Sequence, residues 1–356
     1  MTMKRLVIVL SVLLAASTVS AQEIRSAVDM TKVKAYVTKT MPRCPNANVA
    51  FDPIPGKGPQ GFHVYRAVLT SSDEYCSAQK FILYSPATDQ TIVGSVIALP
   101  GGENPIHERI SQHTSKLLNA DVKAQIAPLG LPDGLRQVSL IRKTEYGPFA
   151  YTGYLDASER FLIVGLRGKL NEDPSTTLRK AIGADTAARR GNGAAKIEII
   201  EISDFQCPTC ARAHEALEPL FASNLGKIRY TRIDLPLFEH HKWSLQAALA
   251  SRAMQRVAPK KYWDYVDVVF RNQANLDEKN FDKFFRDWVE DNDLKWAPIA
   301  KIYNSAAERK ALLDDVSDLF NAGVNSTPTF IVNGQILGYG QGTFAHEFMK
   351  QTINGK

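Results

Sequence analysis

Two cysteines three residues apart, Cys207 and Cys210, are the residues of this 356-residue chain best placed to do chemistry. They sit in Phe205-Gln206-Cys207-Pro208-Thr209-Cys210, between an apolar run, Ile197 to Ile202, that predicts a buried strand and a segment, Ala211 to Phe221, that predicts a helix. At a helix start this spacing puts both sulfurs on one face, close enough for a disulfide. An ordinary thiol with a pKa of about 8.5 is roughly 3% thiolate at pH 7. In C-x-x-C motifs at helix starts the pKa falls to about 3.5 to 7, which makes the first cysteine a good attacking thiolate and a good leaving group. Cys207 is thus expected to attack, and Cys210, one turn inside, to resolve the mixed disulfide. Pro208 suits the first helical position because its missing N–H has no partner there.

Two other readings fit the same pair, half of a zinc site and a structural short-loop disulfide. A structural zinc needs about four ligands. The remaining cysteines, Cys44 and Cys76, lie far upstream, and the adjacent His240 and His241 read as a solvated turn. The expectation is a redox-active pair with no metal and no bound cofactor, since the cysteines themselves carry the electrons.

The run Glu201 to Ala211 resembles the active-site segment of the DsbA-like thiol:disulfide oxidoreductases, a thioredoxin-fold family. A second block, Gly323-Val324-Asn325-Ser326-Thr327-Pro328-Thr329-Phe330-Ile331-Val332-Asn333-Gly334, resembles the family's cis-proline segment. The resemblance covers about 196–356. It implies that Pro328 is a cis-proline beside the disulfide, that Thr327 contacts substrate peptide through its backbone together with Pro208 and Thr209, and that Glu201 is a buried acid assisting proton movement at the inner cysteine. An X-Pro bond is the one place where cis is cheap, about 0.5 to 1 kcal/mol over trans. Strongly oxidising members carry His between the cysteines. Pro208-Thr209 brings no charge there, which implies a less oxidising couple.

The elements that must hold this site follow from the pattern around it. Lys227 to Leu235 predicts the next strand, and Ser244–Val257, Lys260–Phe270, Lys279–Glu290 and Pro298–Phe320 predict helices, in keeping with a helical insertion at about 243–320 of a thioredoxin-like α/β fold. Phe281, Phe284, Phe285 and Trp288 recur at helical spacing as core. Phe330–Val332 and Gln335–Leu337 form a hairpin around Asn333-Gly334, and Thr343–Thr352 a closing helix.

Upstream, residues 1–21 read as a secretory signal, with Lys4-Arg5, an apolar core from Leu6 to Ala16 and small residues ending at Ala21. The apolar run is shorter than the roughly 20 residues that span a bilayer. Export to a periplasmic or extracellular space allows disulfides, and Cys44 and Cys76 are expected to pair, as a staple worth about 3.5 kcal/mol in the chain-entropy account or as a second redox couple. Residues 22–170 predict a separate α+β domain: strands over Gly61–Leu69, Lys80–Tyr84, Thr91–Leu99, Gln137–Ile141, Phe149–Tyr154 and Phe161–Leu166, and a helix over Ile106–Leu118. Pro100-Gly101-Gly102 reads as a turn. Residues 171–195 read as a linker, with Arg189 to Gly193 as a flexible joint.

The formal net charge of +6 has two of its positive charges in the leader, and the rest are interleaved with acids, so nucleic-acid binding is not expected. The expected partners are cysteine-containing exported proteins and a separate redox partner. The domain layout resembles that of the DsbC/DsbG-type periplasmic disulfide isomerases, which implies a homodimer through the N-terminal domain. The direction of electron flow stays open between oxidase, isomerase and reductase. The alternative from another class is a chaperone-like peptide-binding module without turnover.

Overall fold

The computed structural model describes residues 21–55, 58–73, 76–338 and 344–355. The signal sequence therefore lies outside the described residues, apart from Ala21 at its end. None of the helices described is long and apolar enough to cross a membrane.

The chain builds two sheets. In the first half, helix α1 (Ala21–Thr40) leads to strands β1 (Asn48–Pro53), β2 (His63–Thr70), β3 (Ala78–Ser85) and β4 (Gln90–Ala98). Helix α2 (Ile106–Leu118) then precedes β5 (Val122–Gly130), β6 (Arg136–Thr144), β7 (Gly147–Leu155) and β8 (Phe161–Lys169). All eight pair antiparallel in the order β1-β2-β3-β4-β8-β7-β6-β5. Their alternating residues bury one face under α1, through Val33, Val37 and Met41, and another patch under α2, through Ile110. Cys44 and Cys76 form a disulfide that joins the end of α1 to the approach to β3.

The second half opens with α3 (Pro174–Ala181), capped by Asp173, whose carboxylate accepts the Ser175 N–H at 2.9 Å. Then come β9 (Ala188–Gly191), β10 (Ile197–Ser203), α4 (Pro208–Ala222) and β11 (Ile228–Asp234). Helices α5 (Ser244–Val257), α6 (Tyr262–Asn272), α7 (Phe281–Asp291), α8 (Trp296–Tyr303) and α9 (Ala306–Asn321) follow, and β12 (Thr329–Val332), β13 (Gln335–Leu337) and α10 (Phe344–Ile353) end the fold. The sheet order is β13-β12-β10-β11-β9, with β10 and β11 parallel and the other pairs antiparallel. Asn333 and Gly334, at φ 48° and 81°, make the tight β12–β13 turn that the Asn-Gly pair predicts.

Three sequence readings change. The stretch read as a flexible joint is β9, paired with β11 from Ala188↔Arg232 to Gly191↔Arg229. Its short length and two arginines resemble a loop, and only the neighbouring strand makes it one of the sheet. The single helix expected over Pro298–Phe320 is two, because the Ser305 hydroxyl accepts the Glu308 N–H at 3.3 Å and starts α9 afresh. Helix α1 and strands β1 and β5 are not announced by the pattern; α1 is mostly polar and β5 loses its alternation after Ile126.

The first sheet meets the second half of the chain through α9 and the loop after β11. Phe149 of β7 shares a hydrophobic cluster with Ile200, Phe238, Leu313 and Val316, and its ring meets Phe238 and Phe320 edge-on at 5.8 and 5.9 Å. Polar contacts seal the same seam. The Asn321 side chain accepts the Thr152 N–H at 2.9 Å, Ser317 donates to the Ala150 carbonyl, and Arg142 pairs with Glu239.

Candidate active site at the start of α4

Strand β10 ends at Ser203, and residues 204–206 turn the chain so that Cys207 becomes the N-cap of α4, at φ −70° and ψ 118°, with Pro208 at the first helical position. Asp204 organises this turn. Its carboxylate accepts the Gln206 N–H at 2.8 Å, its carbonyl accepts the Cys207 N–H at 3.2 Å, and its own N–H points at the Cys210 sulfur at 3.5 Å. From just past α6, the Gln273 side chain donates to the carbonyls of Phe205 and Cys207 at 2.7 and 3.0 Å, tying the loop down from the helical side.

Across from this helix end, the Thr327–Pro328 bond is cis, as the resemblance implies, and Pro328 is buried. The Cys207 sulfur lies 3.5 Å from the Thr327 carbonyl, to which the thiol can donate. Pro208 is exposed and Thr209 half-buried, with its hydroxyl accepting from Arg212 at 3.1 Å. Thr327, Pro208 and Thr209 therefore border Cys207.

The two sulfurs are unlike. The pKa of the Cys207 thiol is lowered to about 5, chiefly because Cys210 hydrogen-bonds to it, with the Thr327 side chain and the N–H groups of Cys210 and Thr209 adding to this and burial opposing it. Among the described residues the Thr327 hydroxyl has no other partner, so the thiolate is its natural one. Cys210 is fully buried, and desolvation together with the neighbouring Cys207 pushes its pKa well above the ordinary value. At neutral pH the pair holds one thiolate and one proton, with the thiolate at the helix end where the dipole favours it.

Beneath Cys210 the sheet carries buried polar groups. Glu201 is 2% exposed and pairs in register with Arg232 on β11 and Phe330 on β12. One of its carboxylate oxygens takes the Tyr230 hydroxyl; among the described residues the other has no hydrogen-bond partner. Arg232, also fully buried, pairs with Asp234 and lies 4.1 Å over the Phe205 ring. Glu201 is thus a buried acid of the sheet.

Sequence reasoning missed Asp204, Gln273, Arg232 and His241. The reading of His240-His241 as a solvated turn is corrected for His241, whose Nδ1 lies 2.7 Å from the Asp204 carboxylate with the side chain four-fifths buried. The signal was weak, since 37 residues separate the partners. Among the described residues, the group that brings three possible metal-ligating atoms within 4.8 Å is His214, Glu218 and Asp267, and it contains no cysteine.

A mixed sheet, a C-x-x-C at the start of a helix and a cis-proline loop facing it define a thioredoxin-fold dithiol site. Residues 184–352 match the thioredoxin family model. Curated relatives include the Na(+)/H(+) antiporter NhaA 3 of Salinispora tropica, 30% identical over 146 residues, 41% of this chain and 21% of that protein. Another is the Na(+)/H(+) antiporter NhaA of Herminiimonas arsenicoxydans, 26% identical over 170 residues, 48% of this chain and 26% of that protein. The chain spans between a fifth and about a quarter of the length of these relatives. Similar solved structures include the thiol-disulfide exchange protein alpha-DsbA2 from Wolbachia pipientis, 17% identical, with a TM-score of 0.43 over 51% of this chain and 93% of that one. BdbD from Bacillus subtilis is 20% identical, with a TM-score of 0.41 over 48% and 92%.

Proposed function

We propose that this protein is an extracytoplasmic thiol:disulfide oxidoreductase that exchanges disulfides with cysteines of exported proteins through Cys207 and Cys210. The observation that carries the reading is the asymmetry of the pair: a thiolate at the helix end beside the Thr327–Pro328 loop, and a buried, protonated thiol one turn behind it.

As a reductase the Cys207 thiolate attacks a client disulfide, forming one S–S bond while the client's S–S bond breaks and its departing sulfur takes a proton. Cys210 then loses its proton and attacks Cys207, releasing the second client sulfur and leaving a Cys207–Cys210 disulfide. As an oxidase the same steps run backwards, and an isomerase stops at the mixed disulfide. Glu201, with its free oxygen, is the proposed acceptor of the Cys210 proton, and Thr327, Pro208 and Thr209 the surface that meets client peptide.

We place the boundary of the thioredoxin domain before β9, with α5–α9 as its helical insertion and 22–170 as an α+β domain docked on it. The uncharged Pro208-Thr209 pair implies a less oxidising couple without fixing the direction of flow; a redox partner for the cycle and a homodimer through the first sheet belong to the same proposal. The test is trapping. With Cys210→Ser, an envelope extract should yield mixed disulfides at Cys207 that dithiothreitol releases, and Cys207→Ser should yield none. Absence of adducts from Cys210→Ser, with a peptide disulfide also left unattacked, contradicts the reading.

A further inference from the structure

One amide holds the backbone of the active-site turn from the helical side. Helix α6 ends at Asn272 and runs into a short 3₁₀ turn, Gln273–Asn275, whose first side chain reaches residues 205–207. Its Nε2 donates to the Phe205 carbonyl at 2.7 Å and to the Cys207 carbonyl at 3.0 Å. Two carbonyl oxygens need two protons, which the NH2 end of a glutamine supplies; its own oxygen turned that way would repel both. The same helix grips Phe205 by its ring, which packs on Phe270 at 5.3 Å and on Tyr265 at 5.5 Å. Tyr265 is fully buried, and its hydroxyl donates to the Ala247 carbonyl of α5 at 2.8 Å. Gln273 therefore acts from a platform that is itself fixed.

At Cys207 this grip meets the chemistry. The residue caps α4, and its carbonyl accepts the Ala211 N–H at 3.2 Å. With Gln273 as a second donor, that oxygen is held from both the helix and α6, which fixes the orientation of the Cys207–Pro208 peptide. If this peptide rolls, the free N–H groups of the first helical turn turn with it. Those of Thr209 and Cys210 are among the donors that hold Cys207 as a thiolate. The loop after β11 secures the same turn through side chains instead, with the Leu237 N–H on the Asp204 carboxylate at 2.8 Å and the Trp243 N–H on the Gln206 side chain at 2.7 Å. Phe205 lies between these anchors and is 1% exposed, so a carbonyl left there without its donor would pull the turn toward another partner.

We propose that Gln273 is a positioning residue for thiol exchange: by holding the Phe205 and Cys207 carbonyls it aims the Thr209 and Cys210 N–H groups at the Cys207 sulfur and keeps that sulfur within reach of Cys210. This rests on the oxidoreductase reading above. In the resolving step the Cys210 sulfur bonds to the Cys207 sulfur while the bond from Cys207 to the client breaks, and the client sulfur leaves with the electron pair. Such a displacement needs the attacking sulfur aligned with the bond it breaks, so a Cys207 that drifts slows it. The donor that prevents the drift stands 66 residues further along the chain, outside the C-x-x-C segment whose chemistry it serves.

The experiment compares the full-length protein with Gln273→Met, which keeps the length of the side chain and loses the donor, and with Gln273→Asn, which keeps the amide one methylene short. Iodoacetamide alkylation of reduced Cys207 is followed across pH. In parallel, reduced protein is mixed with oxidised glutathione and quenched with acid at intervals, and mass spectrometry reads the rise and decay of the Cys207–glutathione mixed disulfide. In Gln273→Met the alkylation inflection should move up from about 5 by about half a unit, and the mixed disulfide should decay about tenfold more slowly than in wild type. Gln273→Asn should fall between the two, with circular dichroism of both variants matching wild type. A Met variant whose profile and decay superimpose on wild type overturns the role of Gln273. So does an Asn variant worse than Met, since packing and not the donor would then be at stake. A wild type that forms no mixed disulfide overturns the oxidoreductase reading itself, and the alkylation profiles still report on Gln273 in that case.

Discussion

At the scale of single residues, the site depends on two thiols of the same type made different by where they sit. Iodoacetamide should react with Cys207 at a rate that rises through pH about 5 and then levels, while Cys210 stays unreactive; a Cys207 inflection near 8.5 would contradict the account. The sign carries over to stability. A thiol whose folded pKa is depressed stabilises the native reduced protein most above its unfolded pKa, and that contribution fades as pH falls toward about 5. Reduced wild type should therefore lose thermal stability relative to Cys207→Ser on acidification from pH 8 to 5. His241 runs the other way. Its pKa is raised in the fold, so its pairing with Asp204 is fully present below about 6.5 and is lost as pH rises through the raised value. The cysteines and Pro328 were legible because their chemistry depends on local spacing. Asp204 and His241 were not, because their partnership is made by a loop folding back over the strand end.

At the scale of elements, the site needs β10 to end and α4 to begin within four residues, and residues 204–206 do this with side-chain-to-backbone hydrogen bonds. The apolar run over Ile197–Ile202 announces the strand, yet Glu201 within it is fully covered, and its carboxylate takes the Tyr230 hydroxyl of the neighbouring strand, a pairing the run itself does not show. The helices from α5 to α7 follow the periodicity of their sequences closely, with Phe281 and Phe285 buried and Phe284 and Trp288 packed alongside. The break between α8 and α9 was also written in the chain, as Ser305-Ala306-Ala307-Glu308, a capping box hidden inside a longer periodic run. Ser305→Ala should cost about 1 kcal/mol in urea unfolding and leave thiol exchange unchanged. A slowed exchange with unchanged stability would mean that the start of α9 bears on the site directly.

At the scale of the whole molecule, the first sheet is more than a neighbour. The end of α1 reaches the second sheet, where the Arg43 N–H donates to Ile336 at 2.7 Å and its carbonyl accepts the Gly338 N–H at 2.9 Å. The Cys44–Cys76 disulfide lies against Gly338, where a Cβ would overlap the Cys76 sulfur. Composition and periodicity marked these halves as two, and they do build two sheets; the seam between them was illegible because it is made of isolated pairs such as Arg142 with Glu239. Cys44→Ala together with Cys76→Ala should lower stability by about 3 kcal/mol, read from denaturant midpoints, and leave the Cys207 alkylation profile in place. Loss of the Cys207 profile in that variant would instead make Cys44 and Cys76 a second redox couple.

The central claim is that Cys207 and Cys210 interconvert between dithiol and disulfide. Equilibrating the protein with graded glutathione buffers, quenching with acid and mapping the thiols by mass tests it directly. The account predicts a single two-electron transition at Cys207 and Cys210, absent in Cys207→Ser, and a position near −120 to −180 mV marks a disulfide donor or isomerase while one near −270 mV, on the order of thioredoxin's, marks a reductase. A pair that stays reduced, or stays oxidised, across the whole series contradicts it.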